Sequence, residues 1–160
     1  MKHFCALTLL LLFAANSIAQ DWDFEKPDYE QIEKNIQIET SNLFYSSLMN
    51  RFQTGDTTLT IEEIRHLYYG FTFQPKYAPY GHSDYTDSIR TIFRKENLDS
   101  LDYDKLNLFC RNILKDNPFD FSTLEYHNYA LSKMDSLGQK EIVLRQLNWL
   151  IDAVISSGKV

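Results

Sequence analysis

The sequence has few of the residues from which catalytic motifs are usually built. It contains five glycines and four histidines in 160 residues. None of the common signatures is present: there is no G-x-S-x-G, no Walker-type glycine loop, no G-x-G-x-x-G, no H-E-x-x-H and no C-x-x-C. The sequence therefore favours a non-catalytic protein, and we expect neither a cofactor nor a metal site.

The chain also lacks an apolar run of membrane-spanning length. The longest run starts at Phe4 and extends for about 12 residues, whereas a spanning helix needs about 20. Lys2 precedes this run, and Ser17-Ile18-Ala19 follows it with small residues at the positions that signal peptidase requires. We predict a cleavable signal peptide over residues 1–19 and a single mature domain over residues 20–160. The mature protein is expected to be periplasmic or extracellular, without a membrane anchor.

Cysteine is scarce, with only Cys5 and Cys110 in the chain. Cys5 lies far upstream of the predicted cleavage point, so it is lost with the signal peptide and does not serve as a lipid attachment site. An intramolecular disulfide is then impossible. Cys110 shares a helical face with Leu106 and Ile113, which predicts a buried thiol and argues against a nucleophile.

Positive charge is the minority sign. The chain has 16 Lys and Arg against 22 Asp and Glu, and removal of Lys2 with the signal peptide leaves a net charge of −7. There is no block of basic residues. Both features argue against binding to nucleic acid or to anionic membranes.

Most of the sequence has a helical period, and no comparable alternating pattern predicts strands. Thr60 and Glu63 form the clearest helix start, a capping box with Leu59 and Ile64 at the positions of a hydrophobic staple. Further starts are expected at Asp28, Asp84, Asp102 and Ser122, and ends at Gly55, Gly138 and Gly158.

The predicted fold is all-α and built from antiparallel helix hairpins. Two hairpins over residues 84–157 repeat at roughly 34–38 residues, with Pro118 at their junction, which resembles a tetratricopeptide array. Generic α-hairpins explain this spacing nearly as well. One long loop, rich in proline and tyrosine, follows the helix that starts at Thr60.

Two short patterns, one with a histidine and one with several aspartates, are only weakly indicative of metal binding. Glu63 and His66 form an E-x-x-H unit, but a di-iron site needs a second copy that the chain lacks. Asp99, Asp102 and Asp104 lack the spacing, the glycine and the closing glutamate of a calcium loop. We therefore interpret these acids as helix caps and solvated turn residues.

Segment 65–82 concentrates aromatic and titratable side chains, and Pro75 and Pro79 stiffen it. The candidate ligand-contacting residues are Arg65, His66, Tyr68, Tyr69, Gln74, Tyr77, Tyr80 and His82. One hypothesis is a scaffold that presents this segment to a protein, peptide or glycan of the cell envelope. The alternative within the segment is structural: its rings pack over the helices and join the N-terminal part to the hairpins.

Two other functions remain open at this stage. A hydrolase-type enzyme would use a site around Arg65, His66, Tyr69 and His82, where the few groups that titrate near neutrality are concentrated. A structural envelope component would bind no small ligand.

Several motifs along the mature chain resemble those of one family. They are Asp23-Phe24-Glu25-Lys26-Pro27-Asp28-Tyr29, Gly55-Asp56-Thr57-Thr58-Leu59-Thr60, His66-Leu67-Tyr68-Tyr69-Gly70-Phe71, Phe73-Gln74, Tyr77-x-Pro79-Tyr80, Asn117-Pro118-Phe119-Asp120 and the closing Ile151-Asp152-Ala153-Val154-Ile155-Ser156-Ser157-Gly158. In these motifs the chain is similar to the family known as domain of unknown function 4919, secreted proteins of gut Gram-negative bacteria. The resemblance implies export and a single domain, and it implies no activity.

Overall fold

The structure, a computed structural model, describes residues 25–158 as helices joined by turns and one longer loop. The helices are α1 (Tyr29–Asn35), α2 (Tyr45–Thr54), α3 (Ile61–Gly70), a 3-10 turn (Phe71–Phe73), α4 (Asp84–Phe93), α5 (Ser100–Asp116), α6 (Phe121–Lys133) and α7 (Leu137–Ser156). Residues 25–158 contain no strand, which confirms the all-α prediction. The predicted signal peptide lies outside the described residues.

Consecutive helices from α4 to α7 pack on one another as antiparallel hairpins, and α7 returns against α2 and α3. The core has two parts. One lies where α2, α3, α6 and α7 meet, and the other lies among α4, α5 and α6. Helix α6 serves both, because Leu124 and Leu131 face the first part and Ala130 faces the second. The likeness to a tetratricopeptide array stays a prediction.

The helix starts predicted at Asp28 and Thr60 are confirmed. The Asp28 carboxylate accepts a hydrogen bond from the Gln31 amide at 3.0 Å. In the capping box, the Thr60 hydroxyl accepts from the Glu63 amide at 3.3 Å, and the Glu63 carboxylate accepts from the Thr60 amide at 2.8 Å. Gly55 ends α2 in the left-handed conformation at φ 70°, which glycine adopts without steric cost.

Two other starts were predicted at the wrong residue. Helix α4 is capped by Ser83, whose hydroxyl accepts from the Tyr85 amide, so Asp84 is already in the helix. Helix α5 is capped by Asp99, and Asp102 supplies the returning carboxylate of a second capping box. Ser and Asp are both good N-cap residues, so the sequence does not distinguish Ser83 from Asp84 or Asp99 from Asp102. In the structure the earlier residue of each pair is the cap.

The boundaries of α6 were also wrong. Asp120 caps it by accepting from the Thr123 amide at 2.8 Å, so Ser122 lies in the first turn. The helix ends at Lys133, and Asp135 takes the left-handed conformation at φ 50° in the turn that follows. Gly138 was expected to end α6 and instead lies in the first turn of α7.

The buried thiol is confirmed, since Cys110 is 0% exposed in the core among α4, α5 and α6. Within residues 25–158, no helix combines the length and the apolar character that crossing a membrane requires.

Candidate functional site

Arg65 and His66 lie on the side of α3 that faces α1 and the segment before it. Both are buried, at 9% and 8% exposure. They line a polar pocket of about 280 Å³ together with Glu25, Asp28 and Glu62. Lys26 also lines it, so three carboxylates face two cationic side chains and the charges nearly balance.

The guanidinium of Arg65 is bonded to Glu25 through both of its terminal nitrogens. Its Nη1 donates to the Glu25 carboxylate at 3.0 Å, and its Nη2 donates to the Glu25 main-chain carbonyl. Glu25 itself is exposed. Arg65 therefore anchors the chain just before α1 to α3.

His66 is held through both ring nitrogens. Nδ1 lies 3.0 Å from the Glu62 carbonyl, which only accepts, so Nδ1 carries the proton. Nε2 then accepts from the Asn35 side-chain amide at 3.1 Å. The imidazole connects the end of α1 to α3 and has no unoccupied nitrogen for a substrate.

Tyr68 and Tyr69 are both half-buried, and their rings meet each other edge-on with centroids 5.0 Å apart, while each ring also has a partner of its own. Tyr69 meets Tyr29 edge-on, with ring centroids 5.9 Å apart. Tyr68 meets Phe119, in the connection between α5 and α6, at 5.7 Å. Burial raises the pKa of the Tyr68 hydroxyl, with smaller effects from neighbouring tyrosines.

The first half of the long loop is fixed to the helices. Phe71 packs edge-on against both Phe119, at 5.3 Å, and Tyr77, at 5.6 Å. The Lys76 ammonium donates to the Lys115 carbonyl at 3.0 Å and lies 3.1 Å from the Asp116 carboxylate at the end of α5. The Gln74 side chain makes a long contact of 3.5 Å to the Gly70 carbonyl, while its main-chain amide donates to the Phe71 carbonyl at 2.9 Å.

The second half of the loop is open to solvent. Tyr80 is 98% exposed. His82 is also exposed, and its Nε2 lies 3.8 Å from the Asp87 carboxylate on α4. His66 turns toward α1, so the two histidines have different neighbours. No hydrogen bond or ion pair among the described residues joins His82 to Arg65 or His66.

The eight predicted residues thus divide into three groups. Arg65 and His66 border the pocket at α1. Tyr68, Tyr69 and Gln74 lie along the packed inner part of the segment. The exposed outer part presents Tyr77, Tyr80 and His82.

Sequence reasoning missed several residues that contact this segment from outside it, among them Glu25, Tyr29, Asn35 and Phe119. Asn35 and Glu25 lie 31 and 40 positions before their partners, His66 and Arg65. A local spacing pattern carries no information about such contacts. Only the docking of α1 on α3 brings these side chains together.

Metal coordination has no ready site in this part of the protein. Across residues 25–158, no three His, Cys, Asp or Glu side chains are grouped so that they could hold a metal ion. Glu63 of the E-x-x-H unit is occupied by its capping box and by the Arg51 guanidinium, 2.6 Å away.

Comparison with known proteins gives a family and no activity. A family model described as a domain of unknown function (DUF4919) matches residues 30–159. No curated protein and no solved structure matches the chain.

Proposed function

The chain belongs to the DUF4919 family, and we propose that it is an exported, non-catalytic interaction module that contacts its partner through the outer part of segment 65–82. The outer part means residues 77–82, the portion that solvent reaches. The partner is a component of the cell envelope.

The main support for this proposal is the position of Tyr80. Its ring is 98% exposed, although the loop on which it lies is fixed to the protein at Lys76 and Tyr77. Pro75 and Pro79 restrict the backbone on either side of that attachment. A large ring held in solvent on a stiff support loses little entropy when a partner covers it. Tyrosine is also enriched among residues that dominate binding energy.

The shape of this surface favours a protein among the protein, peptide and glycan partners that the sequence suggests. Small ligands bind in concave sites that bury most of their surface. Tyr80 instead projects, which suits insertion into a pocket of a larger molecule. His82, beside Asp87, adds an exposed polar group two residues further along the chain.

We do not extend the proposal to a hydrolase. Arg65 and both nitrogens of His66 are used in internal hydrogen bonds. His82 pairs with a different helix, and Tyr69 packs on Tyr29. General acid–base catalysis needs a titratable group within hydrogen-bond reach of the substrate, and these contacts supply none in a shared cleft.

Export is part of the proposal and rests on the signal-peptide pattern over residues 1–19. Cell fractionation followed by mass measurement of the intact protein tests it. We expect a chain that begins at Gln20 outside the cytoplasm. A full-length protein that stays in the cytoplasm would refute export without affecting the contact surface.

Site-specific photocrosslinking in the native host tests the contact surface. A photoreactive phenylalanine analogue replaces Tyr80 in one variant and Leu137, which is exposed at the start of α7, in the control. We expect a discrete crosslinked protein from position 80 only. An identical set of products from both positions, or none from position 80, would rule out the proposal.

A further inference from the structure

A second surface, separate from segment 65–82, is a groove of about 540 Å³ between α4 and α6. Its volume lies within the range of about 300–1,000 Å³ that is usual for ligand sites. The two isoleucines of its lining, Ile89 and Ile113, are themselves buried, so they offer a ligand little apolar surface. A ligand in the groove meets two aromatic rings and a set of polar side chains instead: Phe93, Tyr126, Thr86, Arg90, Arg94, Asp120, Ser122 and Thr123.

The charged groups of this groove balance one another. Arg90 donates to the Asp87 carboxylate at 3.0 Å, and Asp120 lies in the same lining as Arg94. The groove therefore has no excess charge with which to attract an anion or a cation. Its electrostatic character suits an uncharged ligand.

Several polar groups of the groove have unused capacity for hydrogen bonds. The hydroxyls of Thr86, Ser122 and Thr123 form no hydrogen bond with another group among the described residues. Thr123 is the most informative of them, because it is only 5% exposed, and a hydroxyl held in the wall of a groove without a partner is available to a ligand. Arg94 forms no ion pair within residues 25–158. One carboxylate oxygen of Asp120 caps α6, which leaves the other as an acceptor.

Two aromatic rings form one wall of the groove. The ring centroids of Phe93 and Tyr126 lie 5.0 Å apart, and both rings are close to 40% exposed. Tyr129 lies 6.1 Å from Phe93 and helps to fix its position. The face of an aromatic ring carries partial negative charge and therefore attracts the polarised C–H groups of a sugar ring.

We propose that this groove binds a neutral oligosaccharide. The C–H face of a sugar packs on the exposed part of the Phe93 or Tyr126 ring, and its hydroxyls bond to the free polar groups, Thr123 among them. Each sugar hydroxyl both donates and accepts, so a saccharide can satisfy the guanidinium, the carboxylate and the hydroxyls of this lining together. An extended peptide fits less well, because its recognition relies on open pockets for its side chains and the aliphatic residues here are covered. This inference uses no residue of segment 65–82 and stands independently of the proposed function.

Amide NMR titration of the mature protein with a panel of neutral trisaccharides tests the inference: cellotriose, maltotriose, mannotriose and chitotriose. We expect at least one of them to shift amides of α4, of α6 and of the turn before α6. Its dissociation constant should change little between low and high salt, because the ligand has no charge. Trigalacturonate is the charged comparison. Tighter binding of trigalacturonate than of every neutral sugar, or no shift in these elements at tens of millimolar sugar, would overturn the inference.

Matched variants separate contact in the groove from a general effect on the fold. Thr123→Val removes the hydroxyl at nearly constant shape and is expected to weaken binding at least about threefold. Thr91→Val makes the same change on the exposed side of α4, outside the lining, and should leave affinity unchanged. Tyr126→Ala should weaken binding, whereas Tyr85→Ala should not, because Tyr85 is equally exposed but stacks on Phe109 outside the groove.

Thermal unfolding identifies any variant that is no longer folded. Thr123→Val alters only one side-chain group, so it remains a test even if Tyr126→Ala unfolds. Wild-type affinity in Thr123→Val, or equal losses in Thr123→Val and Thr91→Val, would contradict a sugar site in this groove.

Discussion

The Arg51 Nη1 atom lies 2.6 Å from the Glu63 carboxylate and so joins the last turn of α2 to the first turn of α3. The same guanidinium also donates to Asp56 at 2.8 Å and to the Thr58 hydroxyl at 3.1 Å. One arginine therefore holds the whole turn between the helices. Glu63 serves this network and the capping box with Thr60 at once.

Replacing Glu63 with glutamine is expected to lower the free energy of unfolding by about 2 kcal/mol, because a buried partner of Arg51 and part of a helix cap are lost together. Urea unfolding measures the change. Glu62→Gln is the matched control, since Glu62 is exposed and its carboxylate forms no ion pair within residues 25–158. Equal losses in both variants would show that the network contributes nothing specific.

His127 is expected to make stability depend on pH between about 4 and 6.5. Burial, with a smaller effect of Arg111, lowers the pKa of His127 to about 4. The unfolded chain therefore binds a proton in this interval that the folded chain does not, so stability falls as the pH drops. A shift of this size corresponds to up to about 3 kcal/mol.

Urea unfolding of wild type and His127→Gln at several pH values tests this expectation. Glutamine retains a donor for the Asn107 side chain, which lies 2.9 Å from His127 Nε2. The variant should lose less stability than wild type on acidification to pH 4. Parallel pH profiles for the two proteins would contradict the prediction.

Cys110 is expected to resist alkylation in the folded mature protein. It is 0% exposed, and burial raises the pKa of its thiol to about 12, which leaves almost no thiolate at neutral pH. Iodoacetamide labelling followed by mass measurement should be slow in buffer and rapid in concentrated urea. Fast labelling under native conditions would mean that the core among α4, α5 and α6 opens readily.

Tyr80 and Phe119 are expected to differ sharply in their contribution to stability. Tyr80→Ala should change the free energy of unfolding by less than about 0.5 kcal/mol, because the ring touches almost nothing. Phe119→Ala should cost about 3 kcal/mol, because this ring packs against Phe52, Tyr68 and Phe71. Urea unfolding of the two variants measures both changes, and similar losses would mean that the loop tip is part of the core.

Local sequence patterns predicted where the helices lie, but they predicted the first and last residues of the helices less accurately. The Thr60–Glu63 box was predictable because all of its atoms lie within one turn. The starts of α5 and α6 were misplaced by two or three residues because Asp99 and Asp120 competed with later side chains of similar capping ability. Which residue becomes the cap depends on the backbone conformation of the chain that leads into the helix, and the neighbouring residues alone do not determine that conformation.

In segment 65–82, too, the sequence predicted the composition but not the contacts of individual residues. Its richness in tyrosine was visible in the sequence, and so were its two prolines. The sequence did not distinguish Tyr68, which packs against Phe119, from Tyr80, which packs against nothing. The contact between Phe93 and Tyr126, whose ring centroids lie 5.0 Å apart, was not predicted either, because the two rings come from helices that are separated in the sequence by the whole of α5.

Local sequence patterns were enough to predict that residues 25–158 are mostly helical, that Cys110 is buried, and that α3 begins at a capping box. These properties follow from the spacing of apolar residues and from hydrogen bonds within a single turn. The packing of the helices was needed to show that Arg65 and His66 bond to α1 and the segment before it, and that Tyr80 remains open to solvent. These features depend on which helices pack together. Contacts between residues tens of positions apart produce no periodic pattern in the sequence from which they could be predicted.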